Sequence, residues 1–348
     1  MAEEKPSNLG EVRPAHRFDA AKLAAWLAAN VEGCAGPISV RQFHGGASNP
    51  TFLVTAGDNE LVLRKKPPGQ LLASAHQVDR EYRVMKALGE TGFPAPRMRA
   101  LCLDESVIGT TFYVMDFLAG RIFRDARLPG LEPAERAAIY DELNAVLARL
   151  HGVDYAAIGL ADYGRPGNYF ARQIDRWTKQ YRGAETEVIP AMEALIEELP
   201  RRMPTDDTTT IAHGDYRLEN VMFHPTEPRI IAVLDWELST LGHPLADIGY
   251  NAMLWDSKSV SWGTLDGVDF ATSGIPTRDA YVAAYCRRTG RDGIEDFNFY
   301  LAFSAFRLAS IGQGVFKRNL DGIGAHDASG DNSGTVERAE MALAALRT

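Results

Sequence analysis

One short polar segment, His213-Gly214-Asp215-Tyr216-Arg217-Leu218-Glu219-Asn220, carries a carboxylate and an amide at a spacing that suits phosphoryl transfer. This reaction needs a group that orients the accepting hydroxyl, oxygen ligands for Mg²⁺, and a cation for the phosphates. Asp215 is the candidate base or hydroxyl orienter. Asn220 and the later Asp235 offer the hard oxygen atoms that Mg²⁺ prefers. The segment therefore predicts a magnesium-dependent phosphotransferase site.

Short apolar stretches flank these polar residues and are typical of strands: 211–212, 221–223 and 230–234. The first stretch leads into the polar segment, and the last one ends at Asp235. Because two strands that flank a turn end side by side, we expect Asp215, Asn220 and Asp235 to converge. The alternative interpretation is a set of Asp and Asn residues that only cap turns.

The order of these residues matches the catalytic loop and metal-binding aspartate of a protein kinase. The pattern His-Arg-Asp-x4-Asn reads His-Gly-Asp-x4-Asn here, and Asp235-Trp236-Glu237 stands in place of Asp-Phe-Gly. Within this layout we expect His213 to form structural hydrogen bonds and not to act as a catalyst. We also expect Asp247 to brace the catalytic loop.

The nucleotide half of the site is predicted upstream, at the end of an apolar strand. Arg64 stands where protein kinases carry the lysine that holds the phosphates. Glu81, on the next predicted helix, is its expected acidic partner. Lys66 shares the face of Arg64 by strand alternation and is the alternative phosphate ligand, whereas Lys65 should point the other way. A solvated strand end is the other interpretation of this basic run.

Two further segments are candidates for contacts with the nucleotide. The loop 44–49 is rich in glycine and could offer backbone N–H groups with Ser48 and Asn49 to the phosphates, although a plain hairpin turn is equally consistent. The sequence GxxxxGK[ST] is absent, which excludes a P-loop. The backbone around Asp116 and Leu118 could bind adenine, or it could be an ordinary connector between two lobes.

The periodicity of apolar residues predicts a strand-rich N-terminal part and a mainly helical remainder after Gly120. We expect an α+β, bilobal, protein-kinase-like fold with an N-terminal lobe over 1–118, including a loosely attached arm over 1–16, and a larger C-terminal lobe over 119–348. Residues 321–334 are expected to form a mobile loop. The strands are predicted at 38–43, 51–55, 61–65, 97–103 and 111–117. The helices are predicted around 23–27 and at 77–89, 133–151, 169–183, 187–199, 278–289, 294–318 and 335–346.

The composition limits the classes of partner and location. The 348 residues carry a formal net charge of −9, so we expect no nucleic-acid partner. Cys34, Cys102 and Cys286 are far apart and odd in number, which predicts buried thiols and not a disulfide framework. The first residues lack the features of a signal peptide, and no apolar run is long enough to span a membrane. We therefore expect a cytoplasmic protein.

The catalytic-loop motif and the upstream motifs described above resemble those of the aminoglycoside phosphotransferase and choline kinase-like superfamily. Within it, the sequence looks most similar to the kinase portion of acyl-CoA dehydrogenase family members ten and eleven. The resemblance implies ATP, Mg²⁺ and an acceptor hydroxyl on a small metabolite, expected to be a hydroxyacyl-CoA, and a functional acyl-CoA dehydrogenase partner. Arg64 departs from the lysine that is usual in the antibiotic kinases. The matching motifs are 44–51, 63–69, 80–82, 213–220 and 234–237.

Other functions remain open on the sequence alone. The chain could phosphorylate an aminoglycoside or another small alcohol, although its C-terminal helices lack an evident acidic cluster for a polycationic antibiotic. It could also be a catalytically silent nucleotide-binding protein, although every predicted catalytic position carries a suitable residue. A protein kinase is disfavoured because the Ala-Pro-Glu element is absent and Asp247 follows Asp235 closely.

Overall fold

A computed structural model describes residues 8–44, 49–67, 77–258, 263–322 and 332–348. Within these residues the chain forms two compact units. The first unit contains Met1–Arg121, Ile158–Leu160 and Val221–Glu237. The second unit contains Ile122–Ala157, Ala161–Asn220 and Leu238–Thr348. The catalytic-loop segment and the metal-ligand candidate Asp235 therefore belong to different units.

The described strands and helices follow one another as numbered here in chain order. The strands are β1 Leu9–Gly10, β2 Ile38–Phe43, β3 Thr51–Ala56, β4 Asn59–Lys65, β5 Met98–Cys102, β6 Phe112–Asp116, β7 Thr210–Ala212, β8 Val221–Phe223, β9 Ile230–Val233 and β10 Thr240–Gly242. The helices are α1 Ala20–Asn30, α2 Val78–Gly89, α3 Pro133–His151, α4 Tyr169–Ala184, α5 Pro190–Glu198, α6 Pro244–Ala252, α7 Arg278–Thr289, α8 Phe297–Leu320 and α9 Ser333–Arg347.

The first unit is organised around an antiparallel sheet with the strand order β1-β2-β3-β4-β6-β5. Helix α1 begins after Asp19, whose carboxylate accepts hydrogen bonds from the first-turn N–H groups of Ala21 and Lys22 at 2.9 and 3.1 Å. Its apolar side, with Leu23 and Leu27 fully buried, belongs to the core of this sheet. Burying each such leucine stabilises the fold by about 1.5–3 kcal/mol. The sheet thus holds β4 and Arg64 in a rigid frame.

Two elements of the first unit carry site residues beyond the sheet. Helix α2 buries Val84, Met85 and Leu88, and it also buries Glu81 on the same side. The hairpin of β8 and β9 pairs Val221 with Val233, so the start of β8 lies beside the end of β9. Asp235 follows directly after this hairpin.

The second unit is mainly helical. Strands β7 and β10 form a small antiparallel pair in which Ala212 lies opposite Thr240. Helix α8 buries many aromatic residues, which include Phe299, Phe303 and Phe306. Helices α4, α6 and α9 all contact α8. The catalytic loop follows β7, which contacts α3 and α6.

Most predicted elements are present, and the predicted α+β class is confirmed. The bounds of β2, α3 and α7 match the prediction residue for residue. The prediction of a loose arm over 1–16 was wrong in part, because Leu9 and Gly10 pair with Phe43 and Gln42 at the sheet edge. That pairing has no local sequence signal, since it depends on a neighbour far along the chain.

Other parts of the sequence analysis need correction or limits. Strand β10 and helix α6 were not predicted. Of the expected loop over 321–334, residues 323–331 lie outside the described residues, and α9 already begins at Ser333. Cys34, Cys102 and Cys286 are buried and unpaired, as expected. None of the helices in the described ranges has the length and apolar character needed to cross a bilayer.

Candidate functional site

The catalytic loop is fixed by a buried carboxylate from helix α6. Asp247 accepts the backbone N–H groups of His213 and Gly214 at 2.6 and 2.8 Å. Gly214 has a φ of +82°, and a Cβ there would lie 2.7 Å from the carbonyl oxygen of Leu238, so only glycine fits. Asp247 therefore braces the loop, as the sequence predicted.

Histidines surround this brace in structural roles. His213 is fully buried, and its Nδ1 accepts the backbone N–H of Asp215 at 3.1 Å. His151 lies 3.3 Å from Asp247 through Nε2 and 2.7 Å from the hydroxyl of Tyr285 through Nδ1. Burial acts to raise the pKa of Asp247, but these hydrogen bonds and charges outweigh it and leave that pKa below its ordinary value. The predicted structural hydrogen bond of His213 is present, and the absence of a catalytic role stays a prediction.

The carboxylate of Asp215 is held from two sides. The side-chain nitrogen of Asn220 donates to its Oδ2 at 2.7 Å and to its backbone oxygen at 2.8 Å. The hydroxyl of Tyr250 donates to its Oδ1. Because Asn220 uses its amide nitrogen for these bonds, its amide oxygen is the atom left to serve as a hard metal ligand.

Asp235 adopts an unusual backbone conformation at the end of the β8–β9 hairpin. Its φ is +61°, a region that costs a non-glycine residue about 1–3 kcal/mol and that is enriched at functional sites. The adjacent Trp236 is buried, donates from Nε1 to the carbonyl of Val233 at 2.9 Å, and packs edge-on against Phe93. The tryptophan thus anchors the segment that presents the Asp235 carboxylate.

Arg64 lies among three carboxylates of the first unit, which we name the carboxylate cluster: Glu81, Asp235 and Glu237. The guanidinium is 3.0 Å from Glu81, 2.7 Å from Asp235 and 3.6 Å from Glu237. Burial alone would lower the pKa of Arg64, but the neighbouring carboxylates raise it above its ordinary value, so the cation is retained. The pairing of Arg64 with Glu81 was predicted and is present.

Glu81 is the most buried member of the carboxylate cluster. It accepts hydrogen bonds from the amide of Asn49 at 2.7 Å and from the hydroxyl of Tyr113 at 3.1 Å. Burial raises the pKa of Glu81 to about 7, with Asp235 and Glu237 acting in the same direction and Arg64 opposing them. Glu81 thus orients Arg64 from a buried position, and Asn49 contacts Glu81 directly.

The two lysines next to Arg64 differ. Lys65 is 5% exposed, and its ammonium lies 6.0 Å from the ring centre of Phe52, so it points away from the carboxylate cluster as predicted. Lys66 follows the end of β4 and is half-buried. Its share in phosphate binding stays a prediction.

The predicted adenine segment follows β6. The backbone N–H of Asp116 donates to the carbonyl of Arg97 at 2.9 Å, and its carboxylate pairs with Arg99 at 3.0 Å. Phe117 donates to Glu60 at 3.0 Å. Among the described residues, none accepts the N–H of Leu118. Binding of adenine by this donor stays a prediction.

One predicted site residue lies outside the described residues, and the others are divided between the two units. Ser48 lies outside the described residues. Arg64, Glu81, Asn49 and Asp235 are together in the first unit, whereas Asp215 and Asn220 are together in the second. The convergence of all three catalytic and metal-ligand candidates stays a prediction. Within the described ranges, no group of three or more His, Cys, Asp and Glu side chains forms a metal site.

The sequence analysis missed several contacts of the site. Tyr250, on the unpredicted helix α6, bonds Asp215, and Tyr113 bonds Glu81. Glu237 was seen only as part of a motif, although it is one of the acids near Arg64. Motif spacing could have flagged Glu237, since it is two residues after Asp235. No local signal marks the two tyrosines.

Comparison with known proteins identifies the family to which this chain belongs. The model of a family described as "Phosphotransferase enzyme family" matches residues 39–297. Acyl-CoA dehydrogenase family member 10 of Mus musculus is 49% identical over 89% of this chain and 29% of its own length. Acyl-CoA dehydrogenase family member 11 of Homo sapiens is 45% identical over 91% of this chain and 41% of its own length. The chain thus spans less than half the length of these relatives.

A solved structure agrees with the fold. A protein from Ralstonia eutropha, provisionally named an aminoglycoside phosphotransferase, superposes with a TM-score of 0.87. It is 52% identical, and the match covers 95% of this chain and 99% of the other. The predicted protein-kinase-like fold of this superfamily is confirmed.

Proposed function

Since the chain belongs to the phosphotransferase enzyme family, we propose that it transfers the γ-phosphoryl group of ATP, with Mg²⁺, to a hydroxyl group of a small metabolite. The prediction of a small-molecule kinase is confirmed at the level of the family. The observation that carries the proposal is the carboxylate of Asp215, held by Asn220 and Tyr250 on a loop that Asp247 braces.

In this proposal Asp215 orients the accepting hydroxyl and receives its proton as the bond to phosphorus forms. A fixed carboxylate of this kind contributes about 10²–10⁴-fold to the rate. The hydrogen bond from Tyr250 to one oxygen and that from Asn220 to the other limit the rotation of the carboxylate. The acceptor oxygen therefore meets a base of defined direction.

The nucleotide is assigned to residues of the N-terminal lobe, 1–118. Arg64 is the proposed ligand of the phosphates, with Glu81 as its orienting partner and Ser48 and Asn49 as further contacts. The backbone at Asp116 and Leu118 is proposed for adenine, which the available N–H of Leu118 supports. The C-terminal lobe, 119–348, is proposed to supply Asp215 and the acceptor contacts.

Asn220 and Asp235 are the proposed ligands of Mg²⁺. Their amide and carboxylate oxygens are the hard donors that this ion prefers, so the residues present fit it. When bound, Mg²⁺ would neutralise charge on the phosphate oxygens. Arg64 contacts Asp235 at 2.7 Å and keeps its carboxylate in a defined position.

We propose a hydroxyacyl-CoA as the acceptor. The support is the similarity to acyl-CoA dehydrogenase family members 10 and 11. An acyl-CoA dehydrogenase is the proposed functional partner. An aminoglycoside or another small alcohol is the alternative, in line with the provisional name of the Ralstonia protein. A cytoplasmic location stays a prediction.

The test is to incubate the protein with Mg²⁺ and ATP and a panel of hydroxyacyl-CoAs, aminoglycosides and choline-like alcohols, with mass spectrometry of each acceptor. We expect a phosphoryl adduct on a hydroxyacyl-CoA. The control variant Asp215→Asn should bind nucleotide and lose turnover by about 10²–10⁴-fold. ATP binding with no adduct on any acceptor would instead identify a silent nucleotide-binding protein.

A further inference from the structure

Arg307, on helix α8 of the second unit, is a buried cation without an acidic partner. Its residue is 6% exposed. Among the residues that the structure describes, no carboxylate forms an ion pair with its guanidinium, and its recorded contacts are with aromatic rings. Buried charges are normally paired, because an unpaired one loses its hydration without compensation. An unpaired buried guanidinium therefore indicates a site that a ligand completes.

The rings around Arg307 link it to the catalytic loop. Its guanidinium carbon lies 5.8 Å from the ring centre of Tyr250 and 5.6 Å from that of Trp177. The hydroxyl of the same Tyr250 donates to Asp215. Arg307 is thus separated from the proposed catalytic carboxylate by one tyrosine side chain.

A second arginine, Arg176, lies beside the same tryptophan. The guanidinium carbon of Arg176 lies 5.2 Å from the ring centre of Trp177, so the same indole lies beside both arginines. Arg176 is exposed, yet partial desolvation and then the Arg307 guanidinium lower its pKa. Two cations side by side are mutually unfavourable, and an anion between or beside them would relieve the repulsion. We name Arg176, Arg307, Trp177 and Tyr250 the arginine–aromatic cluster.

We propose that the arginine–aromatic cluster binds an anionic group of the phosphoryl acceptor, a phosphate or a carboxylate, while the acceptor hydroxyl lies at Asp215. This inference rests on the proposed function and adds the residues that bind the charged part of the acceptor. Guanidinium groups suit both anions, because their planar N–H donors bind two oxygens at once. A polycationic aminoglycoside would be repelled at the same place.

The experiment compares acceptors that share one hydroxyacyl group and differ in charge: the CoA thioester, the free hydroxy acid and the neutral pantetheine thioester. We expect the wild-type kcat/KM to favour a charged acceptor. The CoA thioester and the free acid distinguish a phosphate from a carboxylate as the anion. Equal kcat/KM for the charged and neutral acceptors would overturn the inference and leave phosphoryl transfer intact.

The matched variants are Arg307→Met and Arg318→Met. Both remove a cation from α8, but Arg318 is exposed near the end of the helix. Arg307→Met should lower kcat/KM for the charged acceptor by about 10–150-fold and leave the neutral one within a few-fold. Arg318→Met should leave both unchanged. An equal loss for both acceptors would show that Arg307 has only a structural role.

A binding measurement separates this inference from the proposed reaction. With ADP and Mg²⁺ at saturation, CoA or the free hydroxy acid should raise the thermal midpoint of the wild-type protein and have no such effect on Arg307→Met, and no stabilisation of the wild-type protein by either anion would overturn the anion site. Arg307-dependent binding without turnover of any acceptor would support the anion site and contradict the proposed reaction. Equal stabilisation of both proteins would overturn the anion site. If Arg307→Met does not fold, Arg307→Lys, which keeps the charge but loses the planar donors, should show the same selective loss.

Discussion

Arg64 and Arg307 are both largely buried, yet their surroundings are opposite. Arg64, with 14% of its side chain exposed, is within ion-pair distance of Glu81, Asp235 and Glu237. Arg307 contacts the rings of Trp177 and Tyr250 and, among the described residues, has no ion pair. The protein itself compensates the first charge, whereas the second is left for a ligand.

The difference shows how one chain uses the same residue type in two ways. In the carboxylate cluster, the protein fixes a cation in advance, so that phosphates and Mg²⁺ would meet a preorganised charge pattern. In the arginine–aromatic cluster, the rings give only a partial compensation, of about 0.5–2 kcal/mol per cation–π contact. Removing the cation should therefore cost much more stability at Arg64 than at Arg307.

The largest expected effect is on the free energy of unfolding of Arg64→Met. Because this change leaves Glu81, Asp235 and Glu237 close together without their cation, it should cost about 3–5 kcal/mol. Arg307→Met should stay within about 1 kcal/mol of the wild type, since it removes an unpaired charge. Urea unfolding of both variants measures the difference. Equal losses would remove the distinction between the two arginines.

A smaller effect is expected on turnover from Tyr250→Phe. The variant loses the hydrogen bond to Asp215 but keeps the ring that Arg307 contacts. It should lower kcat by about 10-fold, as for a hydrogen bond to a charged group. The preference for a charged over a neutral acceptor should not change. A loss of that preference would mean that the hydroxyl, and not the ring, serves the anion site.

A third prediction concerns the pH dependence of stability through Glu81. Its pKa is raised from 4.5 to about 7 in the fold, so the folded state favours its protonated form. The contribution of Glu81 to the free energy of unfolding is fully present below pH 4.5 and is lost as the pH rises through about 7. Glu81→Gln should reduce this slope in urea unfolding across that pH window. The exposed control Glu90→Gln should keep it, and an unchanged slope in Glu81→Gln would contradict the assignment.

The sequence by itself determined the local elements and the positions that could carry chemistry. Strand β2 and helices α3 and α7 were predicted to the residue, because apolar periodicity and turn residues are local properties. The spacing of Asp215, Asn220 and Asp235 identified the reaction class. The pairing of Arg64 with Glu81 followed from one strand and the next helix.

Only the tertiary structure decided which distant groups contact each charged side chain of the site. Tyr250 reaches Asp215 from the unpredicted helix α6, and Leu9 extends the sheet by pairing with Phe43. The lack of an ion pair at Arg307 among the described residues could not be predicted. The sequence around an arginine on an apolar helix is the same whether the side chain contacts a carboxylate or an aromatic ring. Charge compensation depends on residues far apart in the chain, and only packing brings those residues within reach.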